Sequence, residues 1–287
     1  MRRFLAHKPA MIGAFVLAVI TLCALFAPLL WSLNPDAIDQ AHWSGYPLAP
    51  GIAGHPLGTD ESGRDLLARL MYGARISLLV AVGAVAMQMV IGTALGAIAG
   101  YFGGWVDYAI MRIADVFLSI PLLPLLLVLT AIVEDTSSKA ALSFGVIIVI
   151  LGMLSWPPTT RLVRADFLTL REREYVEAAR AIGCSDLRII ARHLLPNALA
   201  PIIVQATLSI ADVIITESTL SFLGFGVQPP TASWGNMLAN AEANMPIAPW
   251  AAIFPGLCIF ATVLSANYIG DGLRDAFDPY SGYDRGR

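Results

Sequence analysis

The side chains that could take part in chemistry lie in two parts of this sequence. Gln205, Asp212 and Glu217 stand inside one long apolar segment, and Glu177 stands in a polar stretch at residues 161–201. Ionisable groups in an apolar segment are costly, so they usually face a pathway or a partner. They could carry protons or contact a polar solute, although pairing between helices is equally open. Glu177 could pair with an arginine across an interface.

Other kinds of chemistry have little support. The three cysteines and four histidines are scattered, without the spacing of a metal site or a disulfide framework. Neither Lys8 nor Lys139 follows a glycine, so the Gly-rich loop that cradles phosphates is missing. No Ser-His-Asp set and no carboxylate pair stands out. We expect no catalytic residue, no metal and no cofactor on this chain, and no nucleic-acid partner at a net charge of −3.

The composition indicates an all-α integral membrane protein. Hydrophobic residues make up 57% of the 287 positions and charged residues 14%, and the mean hydropathy is +0.69. The apolar runs are about long enough to cross a bilayer as helices. The first run follows a basic N-terminus without a clean cleavage site, which favours a retained helix. We predict six transmembrane helices, at residues 11–33, 76–99, 109–133, 141–156, 202–222 and 251–269.

The basic residues predict the orientation of these helices. With six spans, the two termini and the polar stretch at 161–201 fall on one side of the membrane. That side carries most of the arginines, as the positive-inside rule requires of a cytoplasmic face. The other side carries only Arg64, Arg69, Arg75 and Lys139. We therefore expect both termini in the cytoplasm.

Glycines and prolines predict how two of the spans pack. Gly92, Gly96 and Gly100 are four residues apart and share one helix face, where another helix can approach closely. Pro121 and Pro124 should kink the third span, which a gated pathway could use.

Near the start of the third span, Arg112 and Asp115 are spaced to pair at i, i+3. A structural ion pair fits this position better than a proton relay.

The polar stretch at 161–201 is typical of a docking element. It predicts two short amphipathic helices around Gly183, which can take positive φ as a helix stop. Ala178 and Ala179 would let a partner approach beside Glu177. Ser185 can cap the second helix, and Pro196 should end it. The two expected apolar faces consist of Leu168, Tyr175, Ala179 and Ile182, and of Leu187, Ile190, Ala191 and Leu194.

The motif Glu177-Ala178-Ala179, followed by Gly183 and Leu195-Pro196, resembles the EAA loop of bacterial binding-protein-dependent ABC importer permeases. His193 stands where the common pattern has isoleucine, which is a departure from that pattern. In that family the loop is a pair of cytoplasmic helices that sits in a cleft of the ATPase subunit. Stretches 57–60, 63–65 and 73–75 resemble the peptide and nickel branch, and 228–231 and 234–235 again resemble its peptide permeases. The tail 270–275 resembles the C-terminal ending of the family.

The resemblance implies an architecture. It is that of a type I importer permease with a MetI-like core of about five helices and the first helix packed outside. We accordingly divide the chain into residues 1–75, an N-terminal helix with an extracytoplasmic loop, and residues 76–287, the permease core with its docking loop at 161–201.

The resemblance also implies a function and partners. The function would be passage of dipeptides or oligopeptides across the bacterial inner membrane, with nickel, glutathione or another small solute as the alternative. The partners would be a second permease subunit, two ATPase subunits that hold ATP and Mg, and an extracytoplasmic binding protein. A proton-coupled secondary transporter using Asp115, Asp212 or Glu217 stays open, but it would need no docking loop and usually shows repeats.

Overall fold

The computed structural model describes residues 2–136 and 144–277, which form helices joined by turns and loops, without a strand. The α-helices are α1 (Arg2–Ala6), α2 (Lys8–Leu25), α3 (Ala27–Leu30), α4 (Leu66–Phe102), α5 (Gly104–Ser119), α6 (Leu122–Thr136), α7 (Phe144–Leu154), α8 (Trp156–Leu170), α9 (Glu174–Ala181), α10 (Asp186–Ile189), α11 (Leu195–Phe222), α12 (Trp234–Ala241) and α13 (Trp250–Phe277). A π-helical turn, Ile190–Leu194, joins α10 to α11, and a 3₁₀ turn, Glu242–Asn244, follows α12.

The prediction of an all-α membrane protein is confirmed. Four helical stretches are long and apolar enough to cross a bilayer, namely α2, α4, the continuous run from α10 to α11, and α13. Two helix pairs pass the same test together but are bent, α5 with α6 by 85° and α7 with α8 by 41°. With each bent pair taken as one span, the described residues give six spans, the expected number. The pair that forms the fourth span continues to Leu170, past the predicted end at residue 156 and into the polar stretch expected from residue 161. Residues 141–143 of the predicted fourth span lie outside the described residues.

The third span is broken rather than kinked. Helix α5 ends at Ser119 and α6 begins at Leu122, with Ile120 and Pro121 between them. Proline lacks an N–H and clashes with the preceding turn, so the helical hydrogen bonds stop there. The sequence located this break, whereas its angle of 85° depends on packing.

Helix α4 begins well before residue 76, where the predicted second span starts. The Asp65 side chain caps α4 by accepting a hydrogen bond from the Ala68 N–H, at 2.7 Å. Arg75, expected in a loop, lies within the helix. Its guanidinium donates to the carbonyls of Ala24 and Leu25, which the end of α2 leaves unpaired. The boundary drawn between residues 75 and 76 therefore falls inside a single helix.

Helix α4 is the central helix of the fold, and it packs on α8, α7 and α11. The three glycines at 92, 96 and 100 all face α8, without room for a side chain. A Cβ would lie 2.6 Å from Thr159 Cβ at Gly92, 2.6 Å from the Thr160 carbonyl oxygen at Gly96, and 2.5 Å from Phe167 Cβ at Gly100. Small residues thus bring two membrane helices to backbone contact. Helix α2 lies on the outside of this group and packs chiefly on α13.

The predicted ion pair within α5 is wrong. Asp115 accepts a hydrogen bond from Arg161 on α8, at 2.5 Å, and Arg112 Nε donates to the Tyr108 hydroxyl at 3.2 Å. Both Asp115 and Arg161 are about half exposed. Asp107 likewise pairs with Arg164. The two carboxylates Asp107 and Asp115 therefore join α5 to α8, and neither pairs with Arg112 of α5 itself.

Candidate functional site

The docking loop comprises α9, α10 and the turns around them. Gly183 ends α9 with φ at +82°, the left-handed conformation expected of it. Its N–H donates to the Arg180 carbonyl at 2.9 Å, and the N–H of Cys184 donates to the Ala179 carbonyl at 3.0 Å. These two bonds satisfy carbonyls that the end of α9 would leave free. Ser185 stands at the start of α10, but its side chain makes no capping hydrogen bond.

The apolar faces of the docking loop differ from the predicted ones. A turn at residues 171–173 separates Leu168, which belongs to α8, from α9. This break sets the orientation of α9, so Val176 and Ala179 are buried. Ile182 and Leu187 belong to the predicted apolar faces, yet their side chains are 81% and 76% exposed and do not pack beside Val176 and Ala179. The tip of the loop therefore presents two large apolar side chains to its surroundings.

The residues of the EAA-like motif divide between surface and interior. Glu177 and Ala178 are exposed on α9, whereas Ala179 is buried against the protein. Leu195 and Pro196 lie in the first turn of α11, away from the tip. Within Glu177-Ala178-Ala179, only Glu177 and Ala178 are therefore accessible to a partner.

The docking loop is fixed to the end of α4. The Tyr101 hydroxyl donates to the Asp186 carboxylate at 2.5 Å, and the Arg180 guanidinium lies over the Tyr101 ring, 5.4 Å from its centre. Arg171 also donates to the Gly100 carbonyl at 3.1 Å. These contacts were not predicted, because Tyr101 and Asp186 are 85 positions apart.

Pro196 does not end the second docking helix, so this prediction is wrong. Pro196 sits in the first turn of α11, where its missing N–H costs little. The wide π-helical turn before it replaces the tighter turn that the ring would obstruct. The side chain of Asn197 donates to the His193 carbonyl at 2.6 Å. Residues from Asp186 to Phe222 consequently form one continuous helical run of 37 residues.

A polar stripe on α11 faces a pocket of about 390 Å³ inside the membrane region. The stripe repeats at helical spacing and consists of Gln205, Ser209, Asp212 and Thr216. Gln88 on α4 lines the same pocket, as do both helix breaks, through Pro121 and Ser155. The predicted candidates Gln205 and Asp212 are therefore brought together here.

Hydrogen bonds fix the amides in this pocket. Gln88 is only 4% exposed, and its Nε2 donates to Ser209 Oγ at 3.1 Å and to Thr159 Oγ1 at 3.3 Å. Gln205 Nε2 donates to the same Ser209 hydroxyl at 3.2 Å. Nothing among the described residues donates to Gln88 Oε1. We had not singled out Gln88, Ser209 or Thr216, although the spacing of four, three and four residues along 205–216 was a signal for the last two.

Glu217 lies apart from the pocket. Its side chain is 0% exposed and accepts a hydrogen bond from the Ser221 hydroxyl at 2.8 Å, with the Ser77 hydroxyl 3.5 Å away. Glu217 thus neither lines the pocket nor reaches the surface of this subunit, unlike Asp212. Asp212 and Glu217 are five residues apart, a spacing that puts their side chains on different faces of α11.

The outer loop, residues 31–65 between α3 and α4, contains a buried histidine that links distant parts of the loop. His55 Nδ1 lies 2.6 Å from an Asp65 carboxylate oxygen, and its Nε2 lies 3.2 Å from Asp39. Burial lowers the pKa of His55, but the hydrogen bonds and charges of Asp65 and Asp39 outweigh it and raise this pKa above its ordinary value. The hydrogen bonds from His42 and His55 lower the pKa of Asp39. No group of three His, Cys, Asp or Glu side chains within residues 2–136 and 144–277 is placed to hold a metal ion.

Comparison with known proteins gives a family for most of the chain. Residues 92–280 match the family described as the binding-protein-dependent transport system inner membrane component. Residues 1–50 match the N-terminal transmembrane domain of oligopeptide transport permease C.

The similar proteins span nearly the whole length. The dipeptide transport system permease protein DppC of Alkalihalophilus pseudofirmus is 42% identical over 95% of this chain and 86% of its own. The glutathione transport system permease protein GsiD of Pectobacterium atrosepticum is 42% identical over 97% of this chain and 89% of its own. The oligopeptide transport system permease protein OppC of Haemophilus influenzae is 38% identical over 97% and 86%. An inward-facing structure of the MetNI methionine ABC transporter shares the fold, with a TM-score of 0.59, 20% identity and coverage of 73% of this chain and 97% of that one.

Proposed function

Since the chain belongs to the family of binding-protein-dependent transport system inner membrane components, we propose that it is the permease subunit of an ATP-driven importer of peptides. Its similarity to permeases named for dipeptide and oligopeptide transport, over nearly the whole chain, carries this proposal. A second permease subunit would complete the pathway, and two ATPase subunits would bind ATP and Mg. Glutathione is a second candidate substrate, because a permease named for its transport is equally similar.

The docking loop supports coupling to an ATPase. Exposed Glu177 and Ala178 on α9 and the apolar tip, Ile182 and Leu187, form a surface that a cleft in another protein could enclose. From this surface the run of 37 residues continues through α11 to the polar pocket. A movement of the loop would therefore be passed along helical hydrogen bonds to Asp212. Glu177 would pair with an arginine of the ATPase, and Gly183 would hold the angle between the two docking helices.

The orientation follows from the same proposal. The docking loop and both termini would lie in the cytoplasm, in agreement with the arginine distribution. The outer loop, closed by His55 and Asp65, would then face an extracytoplasmic binding protein that delivers the substrate.

Uptake by the full complex in proteoliposomes tests the proposal. The complex is purified from its native membrane with its ATPase and binding protein and is reconstituted into vesicles. Labelled trialanine should accumulate on the side of the membrane that holds the docking loop, and only when ATP is present on that same side. Labelled glutathione in a parallel assay decides between the two substrates. Failure to accumulate any peptide, by a complex whose ATPase is active, would refute peptide import.

Variants of the docking loop test the coupling. Glu177→Ala should weaken association of the ATPase by about 2–5 kcal/mol, as for truncation of a buried interfacial charge pair. Glu172→Ala removes an exposed carboxylate that lies before α9 and serves as the matched control. Equal copurification of the ATPase with both variants would contradict a docking role for Glu177.

A further inference from the structure

Two breaks in membrane helices meet at the pocket that faces α11. Pro121 between α5 and α6 and Ser155 between α7 and α8 both line it. At a break, backbone groups lose their helical partners, and hydrocarbon offers none in return. Irregular backbone at membrane depth is tolerated where it is buried in protein or lines a water-filled cavity. The pocket is therefore a space suited to water or a polar ligand.

The Asp212 carboxylate lines this pocket without a basic side chain to pair with it. It is exposed on α11, and no Lys, Arg or His among the described residues forms an ion pair with it. A carboxylate in a membrane helix is costly unless it faces a cavity or a cation. The pocket supplies the cavity, and because no cation of the described residues pairs with Asp212, a cation bound there would come from outside the subunit.

Gln88 gives an independent indication of the same chemistry. Its amide nitrogen lies within hydrogen-bond distance of the Ser209 and Thr159 hydroxyls. Because a hydroxyl can donate or accept, either atom of the amide can take this side, and the other atom is then left buried without a partner. The remaining Oε1 is buried, without a donor among the residues described. A buried acceptor without a donor is destabilising, and such groups call for a ligand or a water molecule. Asp212 thus presents a charged acceptor to the pocket, and Gln88 presents a buried amide atom that lacks a partner.

We propose that this pocket binds the primary ammonium group of the transported peptide, with Asp212 as its counter-charge and Gln88 Oε1 as a hydrogen-bond acceptor. An ammonium group has one positive charge for Asp212 and enough donors for both acceptors. The remaining walls are largely apolar, formed by Phe117, Leu122 and Leu154 among others, and can accept side chains of different shapes. The inference rests on the proposed peptide function and adds which end of the substrate the permease recognises.

The direct test is equilibrium binding of labelled trialanine to the complex in nanodiscs, without the binding protein. The wild-type complex should bind it saturably, and Asp212→Asn should weaken binding by at least about tenfold, as for loss of a charged hydrogen bond. Gln88→Leu should weaken binding less. The matched control is Glu217→Gln, which removes a carboxylate from the same helix but outside the pocket, and it should bind as the wild type does.

Competitors identify the chemistry of the ligand. Unlabelled trialanine should compete, and N-acetyl-trialanine should not. A peptide with a blocked N-terminus and one lysine distinguishes the two sources of ammonium: competition would extend the site to side-chain amines, and its absence would restrict the site to the N-terminus.

Several results would overturn the inference. These are no saturable binding by the wild type, equal competition by the acetylated peptide, and unchanged binding by both pocket variants. A loss of the second permease subunit from Asp212→Asn would show that the missing cation belongs to that subunit instead. Uptake of trialanine by the same preparations is measured separately. Uptake without ammonium-dependent binding would leave peptide import standing and refute this site alone, and absence of uptake would refute import itself.

Discussion

Replacement of Gly96 by alanine tests whether the contact between α4 and α8 holds the subunit together. The added Cβ would lie 2.6 Å from the Thr160 carbonyl oxygen and 2.7 Å from Val163 Cβ, whereas ordinary contact begins at 3.4 Å. One of these two neighbours is backbone, which cannot turn away as a long side chain can. Helices α4 and α8 must therefore separate by roughly 0.8 Å at this crossing to reach ordinary contact.

Two opposing effects set the size of the result. Forcing an extra carbon into a packed interface costs about 1–3 kcal/mol. Alanine in place of glycine favours the helix by about 1 kcal/mol. Because the clash involves backbone, we expect the cost to prevail and Gly96→Ala to lower the free energy of unfolding by up to about 2 kcal/mol.

Unfolding of the purified chain in mixed micelles, followed by circular dichroism, measures this change. Gly256→Ala is the matched control, since α13 leaves that position open and the nearest atom, Leu238 Cδ2, would lie 3.9 Å from the new Cβ. It should leave the free energy of unfolding unchanged or slightly raise it. If Gly96→Ala and Gly256→Ala gave the same value, the close approach of α4 and α8 would contribute nothing to stability.

Three further predictions concern the loops. Tyr101→Phe removes the hydrogen bond to Asp186 and should speed amide hydrogen exchange in residues 174–194 by about tenfold, while exchange in α13 stays as it was. The raised pKa of His55 means that its pairing with Asp65 is fully present below the ordinary value of 6.5 and is lost as pH rises through the higher folded value. Proteolysis of the outer loop should therefore quicken over that rise, and His55→Gln should abolish the pH dependence. Gly183→Val should destabilise the docking loop by about 1–2 kcal/mol because φ is +82°, whereas Gly183→Asn should be tolerated better; equal exchange rates in the two variants would contradict this.

The sequence located the spans but placed the start of the second span at residue 76 rather than at Leu66, for reasons that lie elsewhere in the chain. Arg69 and Arg75 read as loop residues because a span rarely carries arginine. In the fold, Arg69 is paired with Asp60 and Asp36 of the outer loop. The Arg75 guanidinium donates hydrogen bonds to the carbonyls of Ala24 and Leu25, which lie at the end of α2. Neither compensation can be read from the residues around α4.

The candidate site was predicted in part. A carboxylate and an amide in an apolar segment led to Gln205 and Asp212, and the structure places both along one pocket. Gln88 gave no such signal, since a single amide in α4 gains meaning only from its contacts with Ser209 and Thr159 on other helices. The same limit applies to the Arg161 partner of Asp115, 46 positions away. Local spacing predicts faces, and tertiary packing decides which faces meet.

The π-helical turn at Ile190–Leu194 has a consequence for register. Such a turn holds one residue more than an α-helical turn, and each residue of an α-helix advances the direction of its side chain by about 100°. Deletion of one residue within 190–194 would restore a plain helix and rotate α9 and α10 by about a quarter of a revolution around the axis of α11. The angular phase between Glu177 on one side of the turn and Asp212 on the other is therefore set by a single inserted residue.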